Sequence, residues 1–161
     1  MEILEIKQVN DALAEMVALF RVELRSYKGI ASKPNIEAGR EEMEEYLSAK
    51  FPVYAALVDG EYAGYVVCRV DSEVVWVESI FVKEEYRRHG VATALHSKAE
   101  GIAASYGDDT VYNYVHPNNH RMIEFLRKRG YTVLNLIEIR KPYKDEKLMR
   151  TIAVGEHEFD Y

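Results

Sequence analysis

Apolar and polar positions change period repeatedly along this chain, and each change marks an element. Ile3 to Val9 reads as a short strand. Asp11 is a candidate cap for a helix whose apolar positions Leu13, Met16, Val17, Phe20 and Leu24 follow helical spacing. Lys28 to Pro34 is a break, after which Asn35 opens a more acidic helix with Met43, Tyr46 and Leu47 on one side. Val53 to Val58 and Tyr62 to Val70 are strands joined by Asp59-Gly60-Glu61, a strong hairpin signal. A second turn, Asp71-Ser72-Glu73, leads into the strand Val74 to Val82.

The period then returns to helical. Val91, Ala94, Leu95, Lys98, Ala99, Ile102 and Tyr106 form one face of a long helix that Gly107 ends. Thr110 to Val115 is expected to be a strand, and His116-Pro117-Asn118-Asn119 a turn. Met122, Phe125 and Leu126 face inward on a last helix closed by Gly130. Tyr131 to Ile139 is expected to be a further strand, with Thr151 to Val154 a short final one. The predicted order is β-α-α-β-β-β-α-β-α-β with that extra strand. It describes an α/β (α+β) fold: a mixed, mostly antiparallel sheet flanked by helices.

Composition narrows the class. A chain of 161 residues suits one domain, residues 1–161, with a real core. No apolar run reaches the length of a membrane span, and the Met1 to Glu5 start lacks the form of a signal peptide, so a cytoplasmic protein without a membrane partner is expected. The single cysteine, Cys68, excludes an intrachain disulfide and most cysteine metal sites. His96, His120 and His157 lack metal-ligand spacing, so no metal is expected. A net charge of −6 argues against generic nucleic-acid binding; it suits a cationic or amine-bearing partner better, but its simpler reading is solubility.

The densest chemistry lies where the strand Val74 to Val82 runs through a short charged turn into Arg87-Arg88-His89-Gly90-Val91-Ala92 and a helix. A helix N-terminus presents unpaired N–H groups and a positive dipole end, and small residues admit a phosphate to the backbone. Glu78 lies within the preceding apolar strand, which sets a carboxylate close to this anion cradle.

These residues resemble the acyl-CoA motif of the GNAT family of N-acetyltransferases, [Gln/Arg]-x-x-Gly-x-[Gly/Ala], after a strand ending in Val-x-x-x-[Tyr/Phe], here Val82 to Tyr86. Asn119 followed by an apolar helix face and Lys128-Arg129-Gly130-Tyr131 resembles a second family signature. The resemblance covers Val53 to Tyr131 and implies acetyl-CoA as acyl donor. It implies that backbone groups at Ile80, Phe81 and Val82 hold the pantetheine arm, that the turn from Arg87 through Arg88, His89, Gly90, Val91 and Ala92 to Thr93 holds the pyrophosphate, and that Asn119 bonds the pantetheine.

Acetyl transfer to an amine requires a base, because a lysine-like amine with a pKa of about 10.4 is protonated at neutral pH. Glu78 is the first candidate, since strand alternation would place it with Trp76, Ile80 and Val82 on one face, partly desolvated. His116 is the second, sharing a face with Tyr112 and Tyr114; the alternative for it is an ordinary turn residue. Many family members carry a tyrosine seven residues after the asparagine as acid for the leaving thiolate, and Leu126 stands there instead. Tyr114 or Tyr131 is a candidate substitute, and no acid is assigned. The expected reaction is acetyl-CoA-dependent N-acetylation of a primary amine on a small molecule or peptide. An acyl-CoA-binding sensor with little turnover is the alternative, and a homodimer formed through the terminal strand stands open. The acidic run Glu41, Glu42, Glu44, Glu45 is read as a solvated helix face.

Overall fold

The computed structural model describes residues Met1–Tyr161. They form two compact units, Met1–His116 and Pro117–Tyr161. In the first, strands β1 (Glu2–Glu5), β2 (Val53–Val58), β3 (Glu61–Asp71), β4 (Val74–Val82) and β5 (Tyr112–Asn113) lie in chain order in one sheet. Every pairing is antiparallel except β4 with β5, which is parallel. Helices α1 (Asp11–Tyr27), α2 (Ile36–Ser48) and α3 (Val91–Ser105) complete the unit. A mixed, mostly antiparallel sheet flanked by helices is therefore the fold, as the periodicity predicts.

Local chemistry explains the boundaries. Asn10, not Asp11, caps α1, its Oδ1 accepting from the Leu13 amide at 2.9 Å; Asn35 caps α2 in the same way through Ala38. The Asp59-Gly60 turn has both residues at positive φ, the twist that a two-residue hairpin needs.

Face by face, the sheet shows what each helix covers. Leu13, Met16 and Val17 of α1 and Met43 of α2 are fully buried against Val53, Ala55, Tyr65, Val67 and Phe81. Each such side chain contributes about 1.5–3 kcal/mol. The two helices approach closely at Gly39, where an added Cβ would overlap the Ala14 carbonyl oxygen. α3 covers the other face, with Leu95 and Val82 meeting over Gly64. Its buried positions are Val91, Leu95, His96, Ala99 and Ala103, so the predicted stripe is rotated: His96 is inside and Tyr106 is exposed. His96 Nε2 lies 3.2 Å from Asn113 Oδ1, which ties α3 to β5.

Two expected strands change. The run Thr110 to Val115 yields only the two-residue β5. Tyr131 to Ile139 forms no strand, although its residues are β-formers, because strand propensity is realised only beside a partner and no ladder reaches it. Val133, Leu134 and Leu136 are correspondingly exposed. In the second unit α4 (His120–Lys128) is capped by Asn119, and β6 (Thr151–Val154) pairs with β7 (His157–Asp160). The final strand is thus half of a hairpin.

Candidate active site

The strand β4 carries an irregularity that alternation alone does not reveal. Val67 pairs with Ser79, but the next pair is Cys68 with Val77, so Glu78 is the extra residue of a β-bulge. Side chains of directly paired residues share a face. Trp76, opposite Arg69, and Ser79 and Phe81, opposite Val67 and Tyr65, therefore all lie on the α1/α2 face. Ile80 and Val82 turn to the α3 face with Val77. The expectation that Trp76, Glu78, Ile80 and Val82 share one face is corrected here, because the bulge resets the alternation.

Glu78 joins the Trp76 side through its partner. Arg69 Nε lies 3.2 Å from Glu78 Oε2, and each side chain keeps less than a third of its surface exposed, 28% and 30%. The Arg69 guanidinium stacks 4.3 Å above the Trp76 ring, and its Nη2 lies 3.5 Å from the Tyr114 hydroxyl. Beneath the bulge, Tyr65 and Ser79 share a buried hydroxyl–hydroxyl hydrogen bond of 2.8 Å, and burial raises the Tyr65 phenol well above its ordinary range. From α2, Glu42 takes a two-pronged ion pair from Arg21 and a 2.7 Å hydrogen bond from the Tyr46 hydroxyl. Burial, then the bond to Glu42, raises the Tyr46 phenol, and the Glu78 charge adds to the effect. Glu42 thus leaves the solvated acidic face, whereas Glu41, Glu44 and Glu45 stay on it.

His116 stacks on Tyr27 with ring centroids 6.1 Å apart and planes 16° apart. Partial burial, and then the Lys28 charge, lower its pKa, which favours the neutral imidazole. Tyr114 is mostly exposed.

Beyond the bulge, β5 pairs with β4 only at Trp76 and Val77, so the outer edge of β4 at Ile80, Phe81 and Val82 has no strand neighbour. After a 3-10 turn, Glu84–Tyr86, the chain bends through Arg88 at φ 67° and Gly90 at φ 81° into α3. A non-glycine residue at positive φ is strained, and such strain gathers at working sites. Asparagine side chains cap α1, α2 and α4, but Gly90 gives α3 no side-chain cap. The leading amides of Val91, Ala92 and Thr93 are left for another acceptor, and nothing lies within 4 Å of where a Gly90 Cβ would stand. The residues present therefore fit a pyrophosphate.

Arg88 and His89 are exposed. Arg87 turns back instead: its Nε donates to the Val82 carbonyl at 2.8 Å and its Nη2 pairs with Glu23 of α1 at 2.7 Å. Its side chain fastens the turn to α1. Beside it a cleft of about 360 Å³ is lined by Leu19, Glu23, Phe81, Lys83 and Arg87, among others.

Asn119 belongs to the second unit, where its Oδ1 accepts from the Met122 amide at 3.1 Å; Leu126 is buried and Tyr131 follows the helix. The first unit brings Glu78, Arg69, Tyr114 and Trp76 together, and holds the Arg87–Thr93 turn at the end of the same strand. Sequence reading missed Arg69. The hairpin turn was the signal, since counting back from Asp71 opposite Val74 puts Arg69 opposite Trp76.

Comparison with known proteins bears on this geometry. The model of the acetyltransferase (GNAT) family matches residues 16–131. A protein of Sulfurisphaera tokodaii named N-alpha-acetyltransferase is 30% identical over 114 residues, a stretch that spans 60% of this chain and 64% of that protein. Among solved structures, AAC(6')-Iy in complex with a bisubstrate analogue is 22% identical, with TM-score 0.64, covering 88% of this chain and 98% of that one. The apo aminoglycoside 6'-N-acetyltransferase AAC(6')-IG from Acinetobacter haemolyticus is 19% identical, with TM-score 0.62, over 89% of this chain and 99% of its own. At these identities the two structures show a shared fold.

Proposed function

This chain belongs to the acetyltransferase (GNAT) family, and we propose that it transfers the acetyl group of acetyl-CoA to a primary amine by direct attack. The observation that carries the reading is the arrangement of β4: a bulged carboxylate at Glu78, an edge without a strand neighbour from Ile80 to Val82, and then an uncapped helix start behind Gly90. Each part has its task. The amides of Val91, Ala92 and Thr93, with the positive end of the α3 dipole, receive the pyrophosphate. Exposed Arg88 and His89 flank it, and Arg87 keeps the turn in place through Glu23. The edge of β4 at Ile80, Phe81 and Val82 aligns the pantetheine arm.

Glu78 takes a proton from the incoming ammonium group, directly or through one water, and leaves a neutral amine. The amine nitrogen bonds to the thioester carbonyl carbon and the carbon–sulfur bond breaks. The second amine proton leaves as the amide forms, and CoA departs as thiolate or thiol. A thiol with a pKa near 8.5 is a tolerable leaving group, so Leu126 at the position where many members of the family carry tyrosine is compatible with turnover. His116, held towards its neutral form, is the second base candidate, and Tyr114 sets its hydroxyl 3.5 Å from Arg69 Nη2.

The acceptor class is an amine. The N-alpha-acetyltransferase relative makes an α-amino group the first to test, while the aminoglycoside enzymes lend only their fold. The deciding assay follows CoA release with four acceptors: a peptide with a free N-terminus, its N-blocked counterpart bearing one lysine, a polyamine and an aminoglycoside. We expect turnover on at least one, with Glu78→Gln lowering kcat about 100-fold or more while acetyl-CoA affinity holds. Tight CoA binding without turnover on any acceptor would replace the enzyme with a sensor.

A further inference from the structure

Arg69 has no part in the reaction just described, yet its side chain is held from three sides. Glu78 engages its Nε at 3.2 Å, Trp76 supports the guanidinium plane at 4.3 Å, and the Tyr114 hydroxyl stands 3.5 Å from Nη2. These partners come from the bulge, from the residue two before it in β4, and from the chain after β5. A solitary exposed ion pair is worth little. A planar guanidinium stacked on indole and shared between two oxygens is more tightly fixed than a lysine would be.

Glu78 needs such a partner. A bulged residue is released from the ladder, so neighbours must choose its orientation. The groups around it are Arg69 from β3, Tyr114, and Tyr46 from α2, with Glu42 and Arg21 behind Tyr46 and Tyr65 beneath. The Arg21 charge is already taken up by Glu42. Arg69 is left as the counter-charge of Glu78.

We propose that Arg69 is a positioning residue: it fixes the Glu78 carboxylate on the bulge in one orientation. The proposal rests on Glu78 being the base, and its test separates the two claims. Arg69→Met keeps an unbranched side chain over Trp76 but removes charge and fork; Arg69→Lys keeps the charge alone. Both are compared with wild type and Glu78→Gln, using acetyl-CoA and whichever of the four acceptors turns over fastest.

For Arg69→Met we expect kcat about tenfold lower, acetyl-CoA affinity by calorimetry unchanged, and the acidic limb of the kcat/KM profile displaced to higher pH. Arg69→Lys should return the limb towards its wild-type position but recover kcat only in part. Carbon-13 NMR of the glutamate carboxylates, with Glu78 assigned by its absence in Glu78→Gln, provides a readout that needs no acceptor. At neutral pH the Glu78 carboxylate resonance should shift in Arg69→Met, because the carboxylate loses the guanidinium that holds it. If Arg69→Met does not fold, Arg69→Lys carries the test through its kcat loss at unchanged CoA affinity. An unmoved limb and an unchanged Glu78 carboxylate resonance in folded Arg69→Met, or full kcat in Arg69→Lys when Arg69→Met is unfolded, would overturn the role of Arg69 while Glu78→Gln stays impaired. A fully active Glu78→Gln would instead remove the base, and the positioning role with it.

Discussion

At the scale of single residues, environment decides what each candidate can do. His116 is the clearest case, because partial burial and the neighbouring Lys28 both disfavour its charged form. The unfolded chain therefore takes up a proton near the ordinary pKa of about 6.5 before the folded protein does. The stability linked to neutral His116 is present above that pH and is lost as the pH falls through 6.5 towards the lowered folded value. An NMR titration of the ring should show a midpoint below 6.5, and Lys28→Ala should move it upward. His116→Gln should flatten the stability slope in that window. Glu78 teaches a different lesson. Its position in an apolar strand was legible in the sequence, and hairpin register could set Arg69 opposite Trp76, but the contact of Arg69 with Glu78 was not legible, because it depends on a bulge.

Elements carry the next set of consequences. The turn from Arg87 to Gly90 relies on two positive φ values and on the Arg87–Glu23 pair across to α1. Gly90→Ala adds no clash within the chain but places a side chain in a conformation costing about 1 kcal/mol, facing the expected phosphate. Calorimetry should show acetyl-CoA binding weakened at least fivefold, with Gly90→Glu abolishing it. Arg87→Ala should also weaken binding while leaving kcat at saturating acetyl-CoA nearly intact, since its side chain secures the turn rather than the reacting atoms. Gly39 tests the α1/α2 contact. Alanine favours an isolated helix by about 1 kcal/mol over glycine, yet here its Cβ would meet backbone at Ala14 and Ala18. Gly39→Ala should therefore destabilise by about 2–3 kcal/mol, read as a lower urea midpoint at constant m.

For the molecule as a whole, Cys68 reports on the integrity of the sheet. Its thiol is fully buried in β3, and burial pushes its pKa up to about 12. The native protein should not react with Ellman's reagent at pH 8, and labelling should keep pace with unfolding. Most of the order of elements was readable from hydrophobic period, because a helix or a half-buried strand must show its period to bury one face. The turns at Asp59-Gly60 and Asp71 to Glu73, the cap at Asn35 and the extent of Val74 to Val82 follow from local preferences written in a few neighbouring residues. The turn from Arg87 to Gly90, to which we assign the phosphate, stood out for the same reason: a strand end, a glycine and a helix start are adjacent in the chain. Tertiary structure decided the rest. A bulge is a property of two strands in register, so only pairing could shift Glu78 onto the Arg69 and Trp76 side, and only packing could put His96 inside α3. Strand formation from 131 to 139 depends likewise on a partner, which no local propensity supplies.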